Sequence, residues 1–271
     1  MAETDLRNPD PLDDFEAREI TLLGKTKRVY VGGNGPAVIV MTEMPGISPY
    51  VARFARWVRD AGFTVFMPSL FGKDGVLPGT GGMVMTMARA CISREFRAFS
   101  ANASSPVTQW LRALAADAHV ECGGKGVGAI GMCFTGNFAL SMMLEKSVVA
   151  PVMSQPSLPL NNPAGLAIDP AELAAVKARM EADDLTMLAY RFEGDKFCRA
   201  ERFAAFEAAL GDRLTARTLP DSAANPDSPM KMPHSVVTHH LIDEAGQPTA
   251  QARDEILAFF RMRLTEYLTS A

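Results

Sequence analysis

The chain has 271 residues, 48% of them hydrophobic and 21% charged, which is the balance of a globular protein with a buried core and not of a disordered one. A formal net charge of -4, a pI near 5.6 and the lack of any dense Lys/Arg cluster provide no basic field for phosphate backbones, so nucleic acid is not an expected partner. No stretch approaches the roughly 18 uninterrupted apolar residues that span a bilayer, and the opening MAETDLRNPDPLDDFE has neither the cationic start nor the apolar run of a secretory signal. A cytoplasmic location is expected, with Cys91, Cys122, Cys133 and Cys198 reduced, since their irregular spacing suggests no disulfide framework.

In chain order, an acidic arm (1–25) precedes what reads as one α/β domain (26–271). Lys27 to Val31 and the run Pro36 to Thr42 predict two strands around the glycine-rich turn Gly32 to Gly35, the second strand fully buried. From Pro49 to Ala61, Val51, Phe54, Ala55 and Val58 follow helical spacing, Gly62 supplies a stop, and Thr64 to Pro68 predicts the next strand. This β-α-β order with short connections is that of a mostly parallel sheet with helices on both faces. The irregular stretch from about 72 to 106 is expected to make a helical excursion over a pocket, its methionine-rich segment Met83 to Ser100 setting specificity.

The order then resumes. A helix from Val107 to about Ala118 leads to a strand from Lys125 to Gly131 and a helix from Phe134 to Lys146. A strand at Val148 to Met153 is followed by a loop rich in Pro and Asn, a helix from Pro170 to Ala182 and a strand from Leu185 to Phe192. Last come a helix from Arg199 to Leu210, a strand from Leu214 to Leu219, a long polar loop and a helix from Thr249 to about Leu268.

The sharpest chemical signal is Gly131-Met132-Cys133-Phe134-Thr135-Gly136, a G-x-nucleophile-x-G pattern where a strand gives way to a helix. Small residues on either side permit a tight, strained turn that presents the cysteine, while the helix start offers the Phe134 amide to an oxyanion and favours a thiolate. Gly126 to Gly131 also fits the dinucleotide pattern G-x-G-x-x-G, but the polar ECGGK before it is not the apolar strand such a site needs, so no cofactor is expected. A nucleophile needs a base and a group to orient it, on later strand ends. Asp195 in FEGD follows an apolar strand, and His234 in MPHS lies between the last strand and the last helix. Of the other histidines, His119 precedes the nucleophile, and His239 and His240 lie toward the final helix. Glu43, leaving the PAVIVMT strand, would face the same crevice, with the Met44 amide as a second oxyanion donor. Neither H-E-x-x-H nor a cysteine pair with zinc spacing occurs, so no metal site is expected.

VIVMTEMPGISP, TVFMPSLFG, GAIGMCFTGNFAL, RFEGDKF and MPHSVVT occur in an order that resembles the dienelactone hydrolase family, the cysteine-using branch of the α/β-hydrolases, from about Thr26 to the end. The resemblance implies an α/β-hydrolase fold and a triad of Cys133, Asp195 and His234, with Glu43 helping to deprotonate the thiol when substrate binds. In the family's type enzyme arginines hold a lactone carboxylate. One of those positions, four residues after the histidine, is Thr238 here, and Arg94 and Arg97, beside Arg89, are the candidates for the other. The expected reaction is hydrolysis of a small activated ester or lactone through a thioester, by a monomer or small homo-oligomer. A non-catalytic, small-acid-binding or redox-sensing member of the same fold is the alternative.

Overall fold

The computed structural model describes residues 5–77 and 105–265. Its strands are β1 (Glu16–Leu22), β2 (Lys25–Gly33), β3 (Ala37–Met41), β4 (Thr64–Pro68), β5 (Val127–Met132), β6 (Val148–Ser154), β7 (Met187–Phe192) and β8 (Leu214–Leu219). Its helices are α1 (Pro49–Asp60), α2 (Pro106–Cys122), α3 (Phe138–Met142), α4 (Pro170–Ala182), α5 (Ala200–Leu210) and α6 (Pro248–Leu264). The strands form one sheet in the order β1-β2-β4-β3-β5-β6-β7-β8, antiparallel at the β1-β2-β4 end and parallel from β4 to β8. This is the α/β-hydrolase architecture expected from the sequence.

Local chemistry explains where the helices begin. Ser48, Ser105 and Asp169 each place a side-chain oxygen against free backbone N–H groups, accepting from Val51 at 3.3 Å, Thr108 at 3.3 Å and Ala171 at 2.8 Å. A proline follows each cap, where its missing N–H loses nothing. Helix α1 then buries Val51, Phe54, Ala55 and Val58, the stripe its spacing predicts. Together with Ile256 and Phe260 of α6 it covers one face of the sheet, while Trp110 of α2, Phe138 of α3, Met180 of α4 and Phe206 of α5 cover the other. Strands β3 to β5, enclosed on both faces, are buried at every residue, which is why they read as unbroken apolar runs. Gly126 to Gly131 runs mainly within β5, where a Cβ on Gly128 would meet Phe260 at 3.1 Å, so these glycines allow helix-sheet packing and form no phosphate-binding turn.

Two readings are corrected. The acidic arm includes β1, which pairs along its whole length with β2. Just before it, Asp10 and Asp14 bind the Arg56 guanidinium of α1 at 2.6 and 2.7 Å, so the arm is tied to the domain by its charges. The helix expected from Phe134 to Lys146 is instead a 3-10 turn (Cys133–Thr135) followed by the short α3. Here the chain bends to dock on the loop after β6: a Cβ on Gly136 would lie 2.5 Å from Pro156 Cα, and Asn137 donates to Leu166 O at 2.8 Å. Residues 78–104, with Arg89, Arg94, Arg97 and most of the expected excursion, lie outside the described residues.

Deleting residues 1–22 therefore exposes the edge of β2 and breaks the Arg56 cluster. The truncated chain should unfold at a lower urea concentration and self-associate on a sizing column, whereas a mere arm would leave both unchanged.

Candidate active site

The chain order turns at β3: β4 lies on one side of it and β5 on the other, which opens a crevice at the carboxyl ends of the central strands. All four predicted site residues lie beyond such ends. Met41 of β3 pairs with Gly131 of β5. Met44 and Phe134 each stand three residues past that pair, so the two backbone N–H groups expected to bind an oxyanion leave adjacent parallel strands at the same edge.

Cys133 follows β5 directly, with φ of 53°, a left-handed backbone that side chains other than glycine seldom adopt. Its neighbours hold it there. A Cβ on Gly131 would lie 2.1 Å from Thr135 O, so only glycine lets the turn close this tightly. The Thr135 hydroxyl accepts from the Met132 N–H at 2.9 Å and lies 3.1 Å from both Met41 O and Thr42 O, tying the turn to the end of β3.

Asp195 and His234 meet in the interior, Oδ2 to Nδ1 at 2.7 Å. The other carboxylate oxygen of Asp195 accepts the N–H groups of Phe197 and Cys198 at 2.9 and 3.0 Å, which fixes the acid and therefore the ring. His234 is only 2% exposed. With Nδ1 committed to Asp195, the buried Nε2, which has no well-formed hydrogen bond, is the nitrogen through which Cys133 acts on the ring. Burial opposes a charged imidazole, but the attraction of an ionised Cys133 and the bond to Asp195 outweigh it and raise the His234 pKa well above that of an ordinary histidine.

Glu43 is 1% exposed and held chiefly by uncharged donors. Ser235 Oγ donates to Oε2 at 2.6 Å, Gln155 Nε2 donates to Oε2 at 3.2 Å, and Thr238 Oγ1 donates to Oε1. Thr238 is wholly buried with its hydroxyl committed to Glu43, so the expected substrate contact is replaced by a contact to the carboxylate.

Sequence reading passed over several residues that the fold brings here. His240 accepts the backbone N–H groups of His234 and Ser235 on Nδ1, at 3.3 and 3.1 Å, and donates from Nε2 to Met230 O at 2.8 Å. His239 stacks on Tyr50 and comes within 3.6 Å of Glu43. Ser157 and Gln155 follow β6, and Arg202 donates to the carbonyls of Pro156, Pro159, Asn162, Gly165 and Phe197, binding the β6 loop to the Asp195 loop. The signal for Ser235 was its place beside His234. Nothing in the sequence marks Gln155, Ser157 or Arg202. Among the described residues no cluster of His, Cys, Asp and Glu side chains could hold a metal ion, and no helix is long and apolar enough to cross a membrane.

A strained cysteine at a strand-helix turn, facing a buried Asp-His pair across the edge of an eight-stranded sheet, defines an α/β-hydrolase. Residues 21–172 match the dienelactone hydrolase family, and the chain belongs to that family. No curated protein matches the chain in sequence. A Klebsiella pneumoniae protein described as a dienelactone hydrolase superposes with a TM-score of 0.60 at 15% identity, covering 90% of this chain and 98% of its own. A dienelactone hydrolase-like promiscuous phosphotriesterase from metagenomic libraries gives 0.62 at 17% identity, covering 93% and 99%. A cold-adapted esterase from an Arctic intertidal metagenomic library gives 0.60 at 13%, covering 92% and 93%. At these identities the likeness is one of fold.

Burial lowers the His240 pKa, so the folded chain holds a neutral ring while the unfolded chain titrates at the ordinary value. As pH falls below about 6.5 the unfolded state gains a proton that the folded state refuses, and this contribution to stability is lost. His240→Asn keeps an acceptor near the Nδ1 position but cannot protonate. Between pH 7 and pH 5 its urea midpoint should fall less than the parent's, a comparison in which the contributions of His234 and His239 cancel.

Proposed function

We propose that this hydrolase cleaves activated carboxylic esters or lactones through a thioester on Cys133. The observation that carries the reading is the strained Cys133 beside a His234 whose Nδ1 is anchored to buried Asp195 and whose ring favours the charged form. The Cys133 thiolate attacks the carbonyl carbon, and the N–H groups of Phe134 and Met44 receive the oxyanion. The C–O bond breaks, and the imidazolium proton of His234 passes to the departing oxygen. Water then attacks the thioester while His234 takes its proton, and the acid and the thiolate separate. Glu43, anchored by Ser235, Gln155 and Thr238, assists deprotonation of the thiol when substrate arrives.

Leaving-group chemistry selects the substrate. A thiolate leaves a tetrahedral intermediate more readily than an ordinary alkoxide, so simple alkyl esters revert to starting material. Phenyl esters and enol lactones, whose oxygens depart as stabilised anions, go forward. The substrate is a small molecule met in the cytoplasm by a monomer or small homo-oligomer. The described thiols of Cys122, Cys133 and Cys198 are free, as that compartment favours. The reaction requires no cofactor, nucleic acid or membrane.

Phenyl acetate is the direct test. The parent should hydrolyse it far faster than ethyl acetate and carry an acetyl adduct on Cys133, seen by mass spectrometry after rapid quenching. Cys133→Ala should lower kcat/KM by about 10³-fold or more. Full activity in that variant overturns the scheme, while absence of turnover despite stoichiometric alkylation of Cys133 favours a binding or redox-sensing role.

A further inference from the structure

The three residues after β6, Gln155-Pro156-Ser157, touch both Glu43 and Cys133. Gln155 has φ of 36°, a strained value for a residue with a side chain, and each of its side-chain ends is occupied. Nε2 donates to Glu43, and Oε1 accepts from the Val236 N–H at 3.3 Å and from the Ser154 hydroxyl. Pro156 packs against Gly136 just past the nucleophile, and its carbonyl is fixed by Arg202 at 3.1 Å. The Ser157 N–H donates to the carbonyl of Cys133 itself at 3.0 Å. Ser157 is therefore registered to the nucleophile by backbone, independently of its side chain.

That side chain is 2% exposed, so bulk water does not serve it. Its oxygen lies 3.1 Å from Gln155 O and 3.5 Å from Cys133 Sγ, and the larger radius of sulfur brings the longer distance within reach. A hydroxyl carries one hydrogen, so it donates to the carbonyl or to the sulfur but not to both. A neutral thiol is a weak acceptor and loses that competition. A thiolate carries a full charge, and hydrogen bonds to charged acceptors are about twice as strong as neutral ones. Rotation about the Cβ–Oγ bond of Ser157 is all the change requires.

We propose that Ser157 is a further catalytic residue, its hydroxyl turning from the Gln155 carbonyl to the Cys133 sulfur whenever that sulfur is charged. It acts twice: it stabilises the nucleophile before attack, and again stabilises the thiolate expelled when water cleaves the thioester. No proton is transferred by Ser157 in either step. The proposal rests on Cys133 as the nucleophile, but its test does not need turnover. The titratable groups that bear on Cys133 are His234 and Cys198, with Glu43 as the base of the proposed scheme, and none of them is altered in the test.

Alkylation by iodoacetamide, with the label located on Cys133 by peptide mass, reports the thiolate directly. In Ser157→Ala the pH of half-maximal alkylation rate should move up by about one unit, the size of one charge-assisted hydrogen bond, while Ser157→Thr should stay near the parent. If Ser157→Ala fails to fold, Thr and Val at this position differ in the hydroxyl alone and give the same comparison. A Ser157→Ala profile that overlays the parent's, or a Thr variant displaced as far as Ala or Val, overturns the proposal. Loss of the ester-hydrolase reading would appear separately, as a parent enzyme that shows the alkylation shift yet turns over no phenyl acetate.

Discussion

The site depends on one unfavourable backbone conformation, the left-handed turn at Cys133, and much of the surrounding packing keeps it in place. A strained residue of this kind costs on the order of 1–3 kcal/mol and persists only where its neighbours over-determine it. Gly131 and Gly136 give up side chains so that Thr135 O and Pro156 can close in. Thr135 connects the turn to β3, and Ser157 holds the Cys133 carbonyl from β6. Cys133 is thus clamped between the two strands that flank β5, and the sheet's register sets its position.

A second layer of constraint is electrostatic. The acidic groups of the site lie in the interior, where a charge without hydrogen bonds would be strongly destabilising. Asp195 is satisfied by two amides and an imidazole, Glu43 by two hydroxyls and an amide side chain. Arg202, also buried, meets carbonyl oxygens instead of a carboxylate, so it joins two loops without neutralising Asp195. His240 then fixes the backbone of His234 from outside the Asp195-His234 pair. These partners come from the ends of β3, β6 and β7 and from the loop before α6, so the site is a property of the sheet edge as a whole.

This division explains what could be read from the sequence. Strand and helix signals arise from neighbouring residues, and the apolar runs of β3 and β5, the Ser-Pro and Asp-Pro helix starts and the glycines around Cys133 all announce themselves locally. Asp195 and His234 were legible because each follows a predicted strand in the order that a triad requires. Strand β1 was hidden by its charge: it follows the acidic stretch of the arm and opens on Glu16, Arg18 and Glu19, with one of its sides toward solvent. Gln155 and Ser157 had no signal, because a Pro- and Ser-containing loop becomes part of a site only when β6 pairs beside β5, with Met132 opposite Ser154.

Thr238 shows how a single position can change meaning once its surroundings are known. In the family resemblance it stands where an arginine would meet a substrate carboxylate, yet here it is buried and donates to Glu43. Arg53 of α1 donates to the Thr238 backbone carbonyl at 3.0 Å. A threonine hydroxyl meets Glu43 with one neutral hydrogen bond, where an arginine would bring a full positive charge. Thr238 therefore holds Glu43 in place and brings no charge of its own to it.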